Sequence, residues 1–409
     1  MPPTSSPSSG PGGTRTPADP SSEGSALSED DRRHLQRAVE LGRRGWGRVH
    51  PNPMVGCVLV RGREVVGEGW HREWGGPHAE VHALEAAGSR ARGATAYVSL
   101  EPCRHEGKTP PCTQALIDAG VVRVVYGARD PGERSGGGAQ VLARRGLEVV
   151  GPVLEHREAR RENPGFFHEA SRRPWICLKL ALSLDGGIGR REGERTLITG
   201  PEVAAEVHRL RAGMDAILIG ARTARIDDPL LTPRGEIQPR KLPARVVLDG
   251  RGTLPSTHRL LTSEGGQLHL LTTTASTREW RDAMERAGAR VRVLAGHRGR
   301  ISLPDALAHL REEGTRTLLC EGGGILARAL LSQGLVDRMH LALAPRFLGP
   351  EAVPAFGTAR GESTAGDPPG EKPVSGPRGE DEGWMEGWSY SDPPRRLGVD
   401  LWLTLEREG

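Results

Sequence analysis

The sequence has few cysteines, few aromatic residues and no long apolar run. Five cysteines in 409 residues are too few for a disulfide framework and are odd in number, so we expect a reducing compartment, the cytoplasm. No run of about 18 apolar residues is present, so we predict no membrane-spanning helix. The formal net charge is only +4, without a lysine- or arginine-rich block, so neither nucleic acid nor membrane is predicted as a partner.

The length of the chain suits at least two domains. Residues 1–28 are rich in proline, serine and glycine and have no apolar leader, so we predict a disordered segment rather than a signal peptide. Ser28 and Asp31 are spaced to cap the first helix. Strands then alternate with helices, which is typical of α/β layered sheets. The predicted domains are residues 29–172 and 173–409, with a second disordered segment near 358–383.

Three short motifs in the first domain predict a metal site. The motif HAE contains His78 and Glu80, and the motifs EPC and PPC end at Cys103 and Cys112. One histidine and two cysteines supply three ligands for tetrahedral Zn²⁺ and leave the fourth position for water. Zinc lowers the pKa of such a water to about 7, and Glu80 is placed to act as its proton shuttle. H-x-E followed by P-C is typical of zinc-dependent nucleobase deaminases.

Two other interpretations of these motifs are open. A structural zinc module would need a fourth protein ligand, and Cys57, the nearest candidate, lies in a predicted buried strand. A cytidine or tRNA deaminase fits less well, because eight residues separate Cys103 from Cys112 where that signature has two. A long second domain also follows the metal motifs.

The segments HPNPMVGCVLV, PHAEVHAL and SLEPCRHEGKTPPC closely resemble the deaminase half of the bifunctional riboflavin-biosynthesis deaminase/reductases, the RibD family. The resemblance covers nearly the whole chain and implies a cytidine-deaminase-like three-layer α/β/α domain followed by a dihydrofolate-reductase-like α/β domain. It implies hydrolytic deamination of 2,5-diamino-6-ribosylamino-4(3H)-pyrimidinone 5′-phosphate, with Zn²⁺ as cofactor, in a protein that we expect to be a homo-oligomer. The implied substrate contacts in this half are Asn52, His71, His105 and Lys108.

The segments SLDG, DAILIGARTARIDDPLLTPR and EGGG together resemble the reductase half of the same family. That half implies reduction of the ribosyl group to ribityl by NADPH. A glycine turn after a strand lets backbone N–H groups approach a phosphate, although alone it is equally typical of a plain tight turn. The resemblance assigns NADPH contacts to Ala181, Leu197, Thr223, Asp227, Gly323 and Gly324, and substrate contacts to Lys179, Arg195, Leu231, Arg234 and Glu321.

Three positions in the reductase half depart from the pattern of the family. Arg195 and Leu197 stand where the family usually has serine and tryptophan, and Ala204 aligns with an arginine that binds the substrate phosphate. Either Arg195 has taken over the phosphate, or the reductase half is weakened and the protein is a deaminase only. We favour compensation by Arg195, because the other contact residues remain.

Overall fold

The computed structural model describes residues 27–105, 110–356 and 386–407. The two predicted disordered segments therefore lie outside the described residues, apart from Leu27 and Ser28. Within the described ranges, none of the helices combines the length and apolar character needed to cross a membrane.

The amino-terminal domain is built on one five-stranded sheet. Its elements are α1 (Glu29–Gly42), β1 (Gly56–Arg61), β2 (Glu64–Trp70), α2 (Ala79–Ala87), β3 (Thr95–Leu100), α3 (Cys112–Asp118), β4 (Arg123–Ala128), α4 (Gly138–Arg144), β5 (Glu148–Val150), α5 (His156–Glu162) and α6 (Pro164–Phe167). Two short 3-10 helices span Arg43–Gly45 and Gly88–Ala91. The strand order is β2-β1-β3-β4-β5, antiparallel at β1 and parallel from β3 onward.

Helices cover both faces of this sheet. Side chains of a strand point alternately to its two faces. Cys57 and Leu59 of β1 therefore pack with α2, α3 and α4, whereas Val58 and Val60 pack with α1. The predicted three-layer α/β/α arrangement of the first domain is confirmed.

The carboxy-terminal domain is built on a ten-stranded sheet. The strands of this domain, ten of which form the large sheet, are β6 (Trp175–Ser183), β7 (Gly187–Gly189), β8 (Ala216–Gly220), β9 (Ala244–Leu248), β10 (Leu268–Thr272), β11 (Arg290–Val293), β12 (Gly296–His297), β13 (Arg300–Ile301), β14 (Thr317–Cys320), β15 (Arg338–Ala344), β16 (Val353–Pro354), β17 (Trp388–Tyr390), β18 (Arg395–Leu397) and β19 (Asp400–Arg407). Its helices are α7 (Pro201–Ala212), α8 (Ala221–Asp227), α9 (Arg259–Thr262), α10 (Arg278–Arg286), α11 (Leu303–Glu312) and α12 (Gly324–Ser332).

The order of the large sheet brings distant parts of the chain together. It runs β11-β10-β9-β8-β14-β6-β15-β19-β17, with β18 paired to β19; β7 pairs with β16 and β12 with β13 outside it. Strands β11 to β15 along this order are parallel, and β19 runs antiparallel to β15. The carboxyl ends of β8, β14 and β6 therefore lie side by side, where ligands bind in open α/β sheets.

A buried ion pair fastens the first helix to the sheet of the first domain. Ser28 and Asp31 form the predicted capping box. Asp31 is only 4% exposed, and Arg123 of β4 donates two hydrogen bonds to its carboxylate, at 2.6 and 3.2 Å. The Tyr97 hydroxyl of β3 donates a third, at 2.7 Å. The Arg123 guanidinium holds the pKa of the Asp31 carboxyl well below its usual range.

We expect Asp31→Asn to lower the free energy of unfolding of this domain by about 2 kcal/mol, because Arg123 keeps its charge and loses the opposing one. The folded-state pKa of Asp31 is depressed, so its contribution is present above pH ~4 and is lost as the pH falls below that value. Urea unfolding measures both effects. Asp30→Asn, which changes an exposed neighbour in the same turn, is the control and should cost less than about 0.5 kcal/mol. Equal losses in the two variants would contradict this account.

Candidate functional site

Three metal-binding side chains converge in the first domain. His78 is the N-cap residue of α2, Cys103 follows β3, and Cys112 is the first residue of α3. Nδ1 of His78 lies 3.2 Å from Sγ of Cys112 and 3.6 Å from Sγ of Cys103, and all three atoms lie within 4.8 Å of one another. Tetrahedral zinc requires about 3.6–3.8 Å between such donor atoms. The donor set therefore fits zinc in its chemistry, and of the two histidine–cysteine distances the one to Cys103 matches this spacing while the one to Cys112 is about 0.4 Å shorter.

Glu80 borders these three donors from the first turn of α2. It is 2% exposed, and its Oε2 atom has no hydrogen-bond partner among the described residues. Burial raises the pKa of Glu80, while the positive charge of His78 opposes that rise. Buried polar atoms nearly always have a partner in folded proteins, so an unpaired carboxylate oxygen beside three metal donors indicates a functional group.

The two cysteine thiols influence each other. A hydrogen bond from the Cys112 side chain lowers the pKa of the Cys103 thiol, and the backbone N–H of Cys112 also donates to that sulfur, at 3.5 Å. The same pairing raises the pKa of the Cys112 thiol. Thiolates are the form in which cysteine binds a metal, and Cys103 is already stabilised in that form.

His71 packs against His78, and Asn52 forms a hydrogen bond with His71. The His71 ring is 2% exposed; its Nδ1 donates to the carbonyl of Pro77 at 3.0 Å, and its Nε2 accepts from Nδ2 of Asn52 at 3.1 Å. Burial lowers the pKa of His71, which favours the neutral ring that this arrangement needs. The ring packs edge to face on His78, with centroids 5.3 Å apart. Both nitrogens of His71 thus form hydrogen bonds within the protein. Nδ1 fixes the ring against Pro77, and Nε2 orients the Asn52 side chain.

Of the other two residues predicted for this pocket, the structure describes His105. His105 is exposed and lies just beyond Cys103. Lys108 lies outside the described residues, so its predicted contact stays a prediction.

A second group of charged residues lies at the carboxyl end of β14, beside the middle of β6. Arg211, at the end of α7, donates from Nε and Nη2 to the two carboxylate oxygens of Glu321, at 2.6 and 2.7 Å. Glu321 directly follows β14, and Lys179 lies next to it on β6. Burial lowers the pKa of Lys179, and the nearby Glu321 carboxylate opposes that shift. Lys179 and Glu321 were both predicted from the sequence, whereas Arg211 was not.

His208, one turn before Arg211 on α7, was also missed. Its Nδ1 atom is buried and has no hydrogen-bond partner among the described residues. Burial lowers the pKa of His208, and the charges of Arg211 and Arg234 lower it further. The signal in the sequence is weak: Val203, Val207 and Leu210 form the buried face of α7, and only their spacing places the last turn of the helix near the sheet.

Four of the six predicted NADPH contacts, Thr223, Asp227, Gly323 and Gly324, follow β8 or β14 in the chain. The Thr223 hydroxyl of α8 accepts a hydrogen bond from the backbone N–H of Gly323, at 3.0 Å. Gly324 begins α12, and a Cβ atom there would lie 2.6 Å from the carbonyl oxygen of Ala355, so the position requires glycine. Burial raises the pKa of Asp227 at the end of α8, and the charge of nearby Arg195 opposes this rise. Ala181 lies on β6 beyond Lys179.

The remaining predicted residues differ in their exposure to solvent. The Leu197 side chain is 78% exposed, and Arg195 and Arg234 are exposed. Leu231 is 1% exposed with φ of +52°, so its side chain belongs to the core and only its backbone can face a ligand. Ala204 is exposed in the first turn of α7, two turns before Arg211.

Comparisons with known proteins match both domains. Residues 28–128 match the family model of the cytidine and deoxycytidylate deaminase zinc-binding region, and residues 174–364 match that of the RibD C-terminal domain. The chain is 39% identical to riboflavin biosynthesis protein RibD of Escherichia coli over 335 residues, which cover 79% of this chain and 89% of the relative. It is 38% identical to RibD of Aquifex aeolicus over 325 residues, with coverages of 79% and 89%.

Solved structures give the same result. RibD of Acinetobacter baumannii superposes with a TM-score of 0.74 at 34% identity, covering 93% of this chain and 99% of that one. A diaminohydroxyphosphoribosylaminopyrimidine deaminase/5-amino-6-(5-phosphoribosylamino)uracil reductase of Thermotoga maritima superposes with a TM-score of 0.72 at 30% identity, covering 92% and 98%. The predicted fold class, a deaminase-like domain followed by a reductase domain, is confirmed.

We expect Cys112→Ser to reduce bound zinc from about one equivalent to below about a tenth, because a serine hydroxyl does not ionise as a thiol does. Elemental analysis of the dialysed protein measures this. Cys177→Ser, which removes a buried thiol from the second domain, is the matched control and should retain its zinc. Full zinc occupancy in Cys112→Ser would refute the ligand assignment.

Proposed function

The chain belongs to the RibD family, the bifunctional deaminase/reductases of riboflavin biosynthesis, and from this premise we propose which of its residues perform each reaction. The deaminase domain would comprise residues 29–172 and the reductase domain residues 173–409. The proposed substrate is 2,5-diamino-6-ribosylamino-4(3H)-pyrimidinone 5′-phosphate, in line with the name of the Thermotoga maritima protein. No feature of the described reductase domain favours a deaminase-only protein.

The convergence of His78, Cys103 and Cys112 beside the unpaired oxygen of Glu80 carries the proposal for deamination. Zinc held by these three residues would act as a Lewis acid and lower the pKa of water at the site to about 7. Glu80 then moves the proton: its Oε2 atom takes it from the attacking water and delivers it to the departing amino nitrogen. Such acid–base help contributes roughly 10²–10⁴-fold.

Asn52 is proposed to bind the pyrimidinone ring. Its Nδ2 atom is held by His71, which leaves the Oδ1 atom to accept a hydrogen bond from an amino group of the substrate. His71 acts on substrate through Asn52, because both of its own nitrogens are engaged. His105 and Lys108 complete the proposed pocket.

Lys179, Arg211 and Glu321 are proposed to meet the phosphorylated sugar in the reductase. Glu321 and Thr232 together occupy three of the five N–H groups of Arg211, which leaves two for a phosphate. His208 and Arg234 lie close by and add donors and positive charge. We therefore assign the phosphate to Arg211 rather than to Arg195, which is exposed and whose charge acts on Asp227.

NADPH would supply a hydride to the first carbon of the sugar. The N-terminus of α12, at Gly323 and Gly324, suits a cofactor phosphate, and Thr223 fixes this turn through the N–H of Gly323. Ala181, Leu197 and Asp227 are proposed to line the same cleft, and Leu231 to face the substrate through its backbone. All five cysteines are free thiols, which supports a cytoplasmic location. The homo-oligomer stays a prediction.

The proposed function is tested by measuring ammonia release from the diaminopyrimidinone ribotide, and then NADPH oxidation with the deaminated product. Cytidine and RNA serve as comparison substrates and should release no ammonia. Ammonia release without any NADPH oxidation would leave the deaminase assignment intact and remove the reductase one.

We expect Glu80→Gln to lower the rate of deamination by at least about 10²-fold, because an amide keeps the shape of the carboxylate but does not carry a proton. Bound zinc and NADPH-dependent reduction should be unchanged in the same preparation. Glu85→Gln, on the exposed side of the same helix, is the matched control and should deaminate at the wild-type rate. Wild-type deamination by Glu80→Gln would show that Glu80 only begins a helix.

We expect Arg211→Lys to raise the reductase KM for the deaminated ribotide by about 10–100-fold, because lysine keeps the charge but loses the paired donors. Steady-state NADPH oxidation measures the change, and unchanged ammonia release shows that the protein is folded. Arg195→Ser is the control and should alter the KM less than about threefold. If Arg195→Ser raises the KM more than Arg211→Lys does, the phosphate belongs to Arg195.

A further inference from the structure

A segment of the deaminase domain, residues 46–52, lies against the reductase domain and ends at Asn52. At its start, Nε1 of Trp46 donates to the carbonyl of Arg209 at 2.7 Å, and the Arg209 guanidinium lies 5.4 Å from the ring centre. The ring also covers Gly213, where a Cβ atom would approach it to 2.0 Å. Any larger residue at position 213 would push the segment away from the end of α7.

Two arginines of the reductase domain bind the carbonyls that immediately precede Asn52. Arg240 donates from Nε and Nη2 to the carbonyl of His50, at 3.2 and 2.9 Å. Arg316 donates from Nη1 to the carbonyl of Pro51, at 3.3 Å. The backbone N–H of Arg240 also donates to the carbonyl of Gly47, at 2.9 Å. Three of the six backbone carbonyls at positions 46–51 are therefore held by the other domain.

Side chains of the two domains also contact each other beside this segment. Nδ1 of His50 lies 3.2 Å from Oδ1 of Asp215, whose other oxygen accepts from the N–H groups of Arg316 and Thr317 and from the Thr317 hydroxyl. The Arg240 guanidinium stacks on Trp74, 4.7 Å from the ring centre. Trp74 lies three residues after His71, so Arg240 touches both chain segments that carry the Asn52–His71 pair.

Within the deaminase domain, Asn52 itself makes two hydrogen bonds. Its N–H donates to the carbonyl of Val49 within the segment, and its side chain meets His71. The segment lies between the first 3-10 helix and β1, so the sheet hydrogen bonds of β1 begin only at Gly56. On the far side of Asn52, Asn163 of the deaminase domain binds both backbone groups of Met54, at 2.7 and 3.1 Å. On the near side, Arg240 and Arg316 of the reductase domain bind the carbonyls of His50 and Pro51, so the position of the Asn52 amide depends on both domains.

We propose that Arg240, with support from Arg316, is a positioning residue for deamination: the reductase domain holds Asn52 in place in the deaminase pocket. The inference rests on the proposed role of Asn52 in substrate binding. It follows that the deaminase pocket is complete only when the reductase domain is docked. A substitution in the reductase domain, far along the chain from the zinc ligands, should then change substrate binding in the deaminase.

The test is a double-mutant cycle in the full-length zinc-loaded protein. Arg240→Ala should raise the deaminase KM about tenfold, which corresponds to about 1.4 kcal/mol, with kcat and zinc content within about twofold of wild type. Arg240→Lys, which retains one donor for the His50 carbonyl, should recover part of the loss. In an Asn52→Ala background, Arg240→Ala should add less than about a twofold change, because the residue that it positions is gone.

The controls separate positioning from general damage. Arg278→Ala, at a highly exposed arginine of the same domain, should leave the deaminase KM unchanged. If Arg240→Ala fails to fold, Arg316→Ala tests the same idea through the Pro51 carbonyl, in the same cycle. A wild-type KM in both variants, or the same fold-change with and without Asn52, overturns the inference. If Asn52→Ala alone deaminates normally, the assignment of Asn52 under the proposed function fails instead.

Discussion

A charged group that leaves water must find a partner inside the protein, and both domains meet this constraint with buried ion pairs. Arg211 and Glu321 satisfy each other with two hydrogen bonds, and Asp31 and Arg123 do the same in the other domain. Glu80 departs from the constraint, because one of its carboxylate oxygens is buried without a partner among the described residues. A stable fold tolerates such a departure where substrate or solvent completes the site, and Glu80 stands beside the three zinc donors.

The two sites use the ends of regular elements in the same way. His78 and Cys112 stand at the starts of helices, and Cys103 follows a strand. Glu321 follows a parallel strand and Gly323 caps the next helix. Element ends carry backbone groups that the helix or strand leaves unpaired, so polar side chains and ligands collect there. The packed sheets hold these ends still, which is what a site with several converging groups requires.

The deaminase ligands could be predicted from the sequence because their chemistry is encoded locally. His78 and Glu80 are two residues apart, and each cysteine follows a proline. Arg211 could not be found in this way, because its partner Glu321 lies 110 residues away and meets it only through the strand order of the large sheet. The family pattern has an arginine at the position of Ala204, in the first turn of α7, whereas Arg211 lies two turns later on the same helix. The alternation of strands with helices predicted the α/β class of both domains, whereas the strand order of the large sheet arises from pairing between distant segments.

The contacts between the domains explain why a pocket residue can depend on a distant part of the chain. Trp46 contributes apolar contact area, whereas Arg240 and Arg316 bind backbone carbonyls and so set the register of the segment. A backbone carbonyl accepts a hydrogen bond whatever its side chain is. These contacts therefore require an arginine at positions 240 and 316 but no particular side chain at the residues whose carbonyls they bind. His50 is the exception, because its ring lies 3.2 Å from the Asp215 carboxylate. Short local motifs thus identify the chemistry of the deaminase, while the geometry of its pocket depends on a surface supplied by the reductase.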